Sequence, residues 1–324
     1  MDDQYQRSIE YLRISITDRC NLRCRYCMPA TGVPWLPPED ILTYEEILRL
    51  VTLCTGLGFR KFRVTGGEPL VRKGVLGFLT ELAQTEGVED LTLTTNGILL
   101  RPMAAKLKEV GVKRVNISLD TLDQDKFEEV TRGGRLGDVL AGIHASLEAG
   151  LNPVKLNMVV IRNFNDTELA DFAKLAQEYP LHIRFIELMP IGASAASGEE
   201  LVSVAEMKQR LDFLNLVPVK GPEGAGPAQH YTGDGLKGSI GFISALSQHF
   251  CAGCNRVRLT ADGKLKPCLH STQEFDLREL LRGGASDAQL REAITQVVWH
   301  KPSRHNMGLE GWQGRKRVMS QIGG

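Results

Sequence analysis

The chain has 324 residues, 42% hydrophobic and 24% charged, a composition that suits a globular protein with a substantial core. Lysine plus arginine and aspartate plus glutamate both number 39, so the formal net charge is zero. This balance argues against a nucleic-acid binder, and any anionic ligand must be held by a local cluster of cations. No apolar run is long enough to span a membrane, and the start Met1-Asp2-Asp3-Gln4 is unlike a secretory signal. The expected location is therefore the cytoplasm, where clustered cysteines serve as metal ligands or catalysts rather than crosslinks.

In chain order, residues 12–16 alternate as a short strand, and apolar residues at helical spacing follow from 44 to about 57, stopped by Gly56 and Gly58. A second strand at 61–65 ends in Gly66-Gly67, and helical spacing returns at 75–85. A third strand at 91–95 closes on Asn96-Gly97, and a helix at 103–110 ends at Gly111, a usual place for a cap. Strands at 115–119, 154–161 and 182–188 alternate with a helix at 136–149 and one that Asp166 is expected to cap, running to about 179. Six strands alternating with helices predict βαβ units and a parallel sheet that closes partly or fully into a barrel. Active residues then belong at the C-terminal ends of the strands.

Beyond Pro190 the pattern weakens. Small residues at 193–198 and a Gly/Pro-rich stretch at 221–226 read as loops. A helix near 204–214, a hairpin-like stretch near 238–243 and a helix near 287–300 complete the prediction, before a polar tail ending Ile322-Gly323-Gly324. The chain divides accordingly into a barrel over 1–190 and a C-terminal α+β extension over 191–324.

Six of the seven cysteines form two groups of three, with Cys54 left over. Cys20, Cys24 and Cys27 lie in a loop just after the first strand. Thiolates suit iron–sulfur clusters or zinc, and three of them leave one iron of a four-iron cluster open to a ligand. Zinc with a borrowed fourth ligand is the alternative. Cys251, Cys254 and Cys268 form the second group, again three, and zinc completed by His249 or His270 is the serious alternative there. Arg256 and Arg258 share one face if that segment is extended, Arg13 has the parity of an inward strand position, Arg63 lies on the second strand and Lys155 on the fifth. Arginine forks match phosphate oxygens, so these residues suggest a polyanion pocket beside thiolates.

The stretch from Asp18-Arg19-Cys20 to Cys27-Met28-Pro29 resembles the signature of the radical SAM superfamily. That resemblance implies a partial (β/α)6 TIM-type barrel and a 4Fe–4S cluster whose open iron holds S-adenosylmethionine (SAM), which is cleaved to a 5′-deoxyadenosyl radical. It also implies SAM contacts at Tyr26, at Gly67 and Glu68 of Gly66-Gly67-Glu68-Pro69, at Ser118 and at Met189. At full length, both cysteine groups and the Gly-Gly terminus make the chain similar to the GTP 3′,8-cyclases of that superfamily.

That narrower resemblance implies a second 4Fe–4S cluster binding the guanine. GTP would be held by Arg13, Arg63, Thr94, Lys155, Arg256 and Arg258. The implied reaction converts GTP to (8S)-3′,8-cyclo-7,8-dihydroguanosine 5′-triphosphate, the first step of molybdenum cofactor biosynthesis, with the diglycine tail reaching the active site. Expected partners are a reduced electron donor such as flavodoxin, a downstream cyclic pyranopterin monophosphate synthase and a second copy of the chain. A different two-cluster radical SAM enzyme, such as a peptide or sulfatase maturase, and a zinc-stabilised binding protein are the alternatives.

Overall fold

A computed structural model describes residues 1–190, 200–222, 226–305, 307 and 317–323. The expected loop at 193–198, half of that at 221–226, and Gly324 lie outside the described residues. Strands β1 (Tyr11–Ser15), β2 (Lys61–Thr65), β3 (Asp90–Thr95), β4 (Arg114–Ser118), β5 (Val154–Val160) and β6 (Leu181–Glu187) are parallel neighbours in chain order. Helices α1 (Tyr44–Gly56), α2 (Val75–Gln84), α3 (Ala104–Glu109), α4 (Gln124–Thr131), α5 (Leu136–Glu148) and α6 (Leu169–Glu178) provide the crossovers. The six expected strands are thus present.

Period-two alternation explains both faces of the sheet. Leu12, Ile14, Phe62, Val64, Leu91, Leu93, Val115 and Ile117 are all buried in the main apolar core under the helices. The intervening positions carry Arg13, Arg63, Thr92, Thr94 and Asn116, so the opposite face is polar. Helix starts follow local chemistry: Thr43 and Glu46 form a reciprocal capping box on α1, worth about 1 kcal/mol. Asp166 does not cap α6 as expected. That helix starts at Leu169 with Glu168 as its cap residue, and the Asp166 carboxylate pairs instead with Arg210 Nη1 at 2.9 Å. Helix α4 has no counterpart in the sequence prediction.

The segment beyond Pro190 is not packed as a separate layer. It contributes α7 (Val204–Arg210), β7 (Val217–Val219), β8 (Gln229–Thr232), β9 (Ser239–Ile243), β10 (Arg256–Leu259), β11 (Lys264–Lys266), β12 (Phe275–Asp276), α8 (Leu277–Arg282), α9 (Asp287–Trp299) and α10 (Met319–Ile322). Its strands extend the same sheet at both ends, in the order β12-β11-β10-β1-β2-β3-β4-β5-β6-β9-β8-β7. β10 is parallel to β1 and β9 is parallel to β6. The expected hairpin at 238–243 is therefore one strand, β9, antiparallel only to β8. Among the described residues no pairing joins β12 to β7, so the barrel stays open. No helix of the described residues is long and apolar enough to cross a membrane.

Candidate active site

A cavity of about 310 Å³ opens at the C-terminal ends of the parallel strands, and all six grouped thiols line it. None is in a disulfide, and Cys54 lies apart in the apolar core. The first group is a tight turn off β1: Cys24 O accepts from Cys27 N at 3.0 Å and Met28 N at 3.1 Å. The loop is strapped to the end of α4, since Arg23 N donates to Thr131 O at 3.0 Å and Arg132 Nη1 to Arg23 O at 2.9 Å. Burial pushes Cys20 up to about 11 and Cys24 to about 12, and raises Cys27 as well. Buried thiols of this kind become thiolates when a metal cation holds them, which fits a metal centre with three protein ligands.

Gly67 is a glycine because two chain segments meet there. A Cβ would lie 2.4 Å from Arg19 O and 2.7 Å from Asp18 O, on the approach to Cys20. The Tyr26 hydroxyl donates to Asp120 Oδ2, while Asp120 Oδ1 accepts from Val159 N at 2.8 Å, so the ring is fixed at the cavity wall. Burial raises Asp120 to about 6. Ser118, Thr94 and Met189 also line the cavity.

Glu68 is placed differently from the expected direct contact with a SAM amine. It is fully buried and outside the cavity lining, and it accepts from Asn96 N at 2.7 Å, Thr95 Oγ1 at 2.9 Å and Leu70 N at 3.1 Å. Burial raises it to about 7. Its side chain shapes the strand end that carries Thr95 and Asn96, and the Asn96 amide in turn reaches Cys20 Sγ at 3.7 Å.

The second group owes its shape to the β10–β11 pair. The antiparallel register Arg258↔Lys266 returns the chain so that Cys254 and Cys268 flank the same end, while Cys251 sits in a short 3-10 turn. Cys268 Sγ is 3.0 Å from His270 Nδ1. His249, Cys251 and His305 bring one ligand atom each within 4.8 Å of one another. His305 was not among the expected site residues. It follows β10 and β11 by some forty positions, and only the tertiary fold returns it to Cys251.

Cations fill the polar face below the thiols. Register places Arg258 beside Arg13, Arg13 beside Arg63, Arg63 beside Thr92 and Thr92 beside Arg114. A second row runs Asn116, Lys155, His182, and a third Ser118, Asn157, Arg184. Arg13, Arg63, Arg184, Arg256 and Arg258 line the cavity; Lys155 is buried one step deeper on β5 and outside the lining. Burial, reinforced by like charge from Arg63, pulls Arg184 down to about 9. Burial, then Arg184, Arg114 and Arg63, pulls Lys155 down to about 6. Such a crowd of buried cations is costly unless an anion enters. Thr94 Oγ1, Asn157 Oδ1 and Arg184 Nε are buried with no hydrogen-bond partner among the described residues, as expected of groups that await a polar ligand.

The C-terminal tail returns to this bank. Arg258 Nη1 donates to Gly323 O at 2.8 Å, and Gly323 packs against Thr65 and Ser15 with φ of +71°.

Residues 14–176 match the Radical SAM superfamily, and residues 181–307 match the family Molybdenum Cofactor Synthesis C. The chain is 54% identical to the GTP 3′,8-cyclase of Moorella thermoacetica and 52% identical to that of Heliobacterium modesticaldum, each over the whole of both chains. The chain belongs to the GTP 3′,8-cyclase family of radical SAM enzymes. The crystal structure of Streptococcus suis SuiB superposes on 88% of this chain and 68% of its own with a TM-score of 0.60 at 14% identity, a likeness of fold.

Membership of this radical SAM family brings SAM and a 4Fe–4S cluster. The first thiol group fits that cluster: three half-buried thiols face one cavity, with no fourth cysteine beside them. Beyond the expected residues, the cyclase-family cavity recruits Arg184, Asn157 and Asp120. Strand parity with Lys155 and Ser118 was the signal that could have found the last two, and parity with His182 the first.

Proposed function

We propose that this chain is a GTP 3′,8-cyclase that converts GTP to (8S)-3′,8-cyclo-7,8-dihydroguanosine 5′-triphosphate, the opening reaction of molybdenum cofactor biosynthesis. The observation that carries the reading is the meeting of six thiols and a bank of buried arginines in one cavity. In this reading Cys20, Cys24 and Cys27 hold the SAM-binding cluster, and Cys251, Cys254 and Cys268 a second 4Fe–4S cluster facing the substrate. The cluster and SAM supply a 5′-deoxyadenosyl radical. Tyr26, Gly67, Ser118 and Met189 position SAM, with Glu68 supporting the Asn96 strand end behind it.

Arg13, Arg63, Thr94, Lys155, Arg184, Arg256 and Arg258 orient the nucleotide, chiefly its triphosphate. Fixing ribose against base in reacting geometry supplies much of the rate advantage. Residues 1–190 carry the SAM half of the site, and 191–324 close it with the second thiol group and the tail. A reduced one-electron donor such as flavodoxin and a cyclic pyranopterin monophosphate synthase downstream complete the reading, together with a homodimer in the cytoplasm.

Anaerobic reconstitution with GTP, SAM and dithionite, followed by mass spectrometry, tests it. Equal amounts of 5′-deoxyadenosine and the cyclised nucleotide are expected; deoxyadenosine formed only with a peptide would turn the reading toward a maturase. The His249, Cys251 and His305 cluster favours zinc as the second reading for the C-terminal group. Metal analysis decides it: zinc at that group with iron only at the first would remove the second cluster.

Two further results are expected. Arg256 stacks over Phe250, with its Cζ 5.3 Å from the ring centroid, and its Nη2 lies 3.9 Å from Cys254 Sγ, so Arg256→Ala should raise the KM for GTP at least about tenfold, ~1.4 kcal/mol, with iron content unchanged. Loss of iron in that variant would make its role structural. Lys155, at about 6 in the ligand-free site, is largely the neutral amine at neutral pH. A triphosphate favours the ammonium, so binding takes up a proton. GTP affinity should then weaken by up to about tenfold per pH unit above pH 6 until the raised value is passed, and level off below pH 6. Calorimetry in buffers of different ionisation enthalpy measures the proton, and Lys155→Met should abolish the uptake assigned to it.

A further inference from the structure

Lys301 is 1% exposed, although it carries a charge, and it lies in the cavity wall beside the second thiol group. Its Nζ donates to Pro267 O at 2.7 Å and to Arg256 O at 2.9 Å. Pro267 precedes Cys268, and Arg256 is two residues past Cys254, so one ammonium ties together two of the three cysteine arms. The third arm is held from the N-terminus: Arg7 Nη1 donates to Cys251 O at 2.9 Å, and Arg7 Nη2 to Pro302 O at 2.8 Å and Lys301 O at 3.3 Å. The two cations differ in one respect. Arg7 is neutralised by buried Asp3 at 2.6 Å, whereas no carboxylate of the described residues pairs with Lys301.

A buried ammonium that meets only carbonyl dipoles lacks a counter-charge. The negative charge nearest to hand is that of the cysteines themselves. Lys301 shares one cavity wall with Cys251, Cys254 and Cys268.

We propose that Lys301 is the charge partner and positioning residue of the second metal centre, joining the Cys254 and Cys268 arms and setting the centre's reduction potential. This rests on the reading of Cys251, Cys254 and Cys268 as ligands of a cluster. The thiolate-bound cluster supplies the anion Lys301 lacks, and Lys301 stabilises the added electron. The Asp3–Arg7 pair contributes position without net charge.

The test uses the full chain with Cys20, Cys24 and Cys27 replaced by alanine, reconstituted anaerobically so that only the second cluster reports. Redox titration followed by electron paramagnetic resonance reads the midpoint, and metal analysis the iron. Lys301→Met should shift the midpoint to a more negative value, because a positive charge beside the reduced state is gone. Lys301→Arg should hold it near that of the parent. The charge-neutral double variant Asp3→Asn, Arg7→Gln should lower iron retention and leave the midpoint in place. Loss of the cluster in Lys301→Met with retention in Lys301→Arg would also support the proposal.

An unmoved midpoint in an iron-replete Lys301→Met protein would overturn it. So would equal loss of iron in both Lys301 variants, or an equal shift in the Asp3/Arg7 variant. A parent that takes up no iron would instead sink the cluster reading, and the inference with it.

Discussion

Cys24→Ala should abolish reductive cleavage of SAM, lowering 5′-deoxyadenosine formation by at least about 10³-fold, ~4 kcal/mol of transition-state stabilisation. The three thiols of its loop are half-buried and face the cavity, and desolvation holds Cys24 up at about 12. The one cysteine outside the two groups cannot replace the lost ligand, because Cys54 is confined to the apolar core. On the two-cluster reading proposed above, iron should fall from roughly eight to roughly four atoms per chain, the remainder belonging to the second group. The loop itself should persist, since its straps to Thr131 and from the Arg132 side chain engage the backbone of Arg23 and not the Cys24 thiol. Deoxyadenosine and iron, measured on the same anaerobic preparation, check the result. Cleavage at the parent rate would remove Cys24 from the ligand set.

Gly323→Ala should have the second-largest effect, about 10²-fold on product formation, ~2.7 kcal/mol. A methyl group there would meet Thr65 Oγ1 at 2.4 Å and Ser15 Cβ at 2.9 Å, both on barrel strands. The φ of +71° adds roughly 1–2 kcal/mol of strain for any residue with a Cβ. The tail should leave its seat, releasing Arg258 Nη1 from the Gly323 carbonyl. Because the tail lies outside the main apolar core, thermal stability should change little, and the loss should appear in turnover with GTP. Parent-like turnover would show that the docked tail takes no part.

The strands β1 to β6 were legible because each is a short apolar run of period two, bounded by glycine or a polar turn. Both cysteine groups were legible because ligand spacing survives as sequence. What escaped was set by tertiary contact. Strands β10 and β9 carry no local mark that they continue a sheet begun far earlier, and α4 is short and polar. His305 and Lys301 carry no local mark, as their meaning depends on Cys251, Cys254 and Cys268 lying beside them. Glu68 shows the converse limit: its motif is readable, yet only the fold shows its oxygens spent on Asn96, Thr95 and Leu70.

The parallel pairing of β1 with β10 has a consequence for biogenesis. Arg13 finds its neighbour Arg258 across the sheet only after nearly four-fifths of the polypeptide has left the ribosome. During synthesis the nascent barrel exposes one flank of its first strand, together with the thiols that follow it, to whatever delivers iron and sulfide. Metal loading of the early loop can therefore precede enclosure, and the late strands act as the door that shuts behind it.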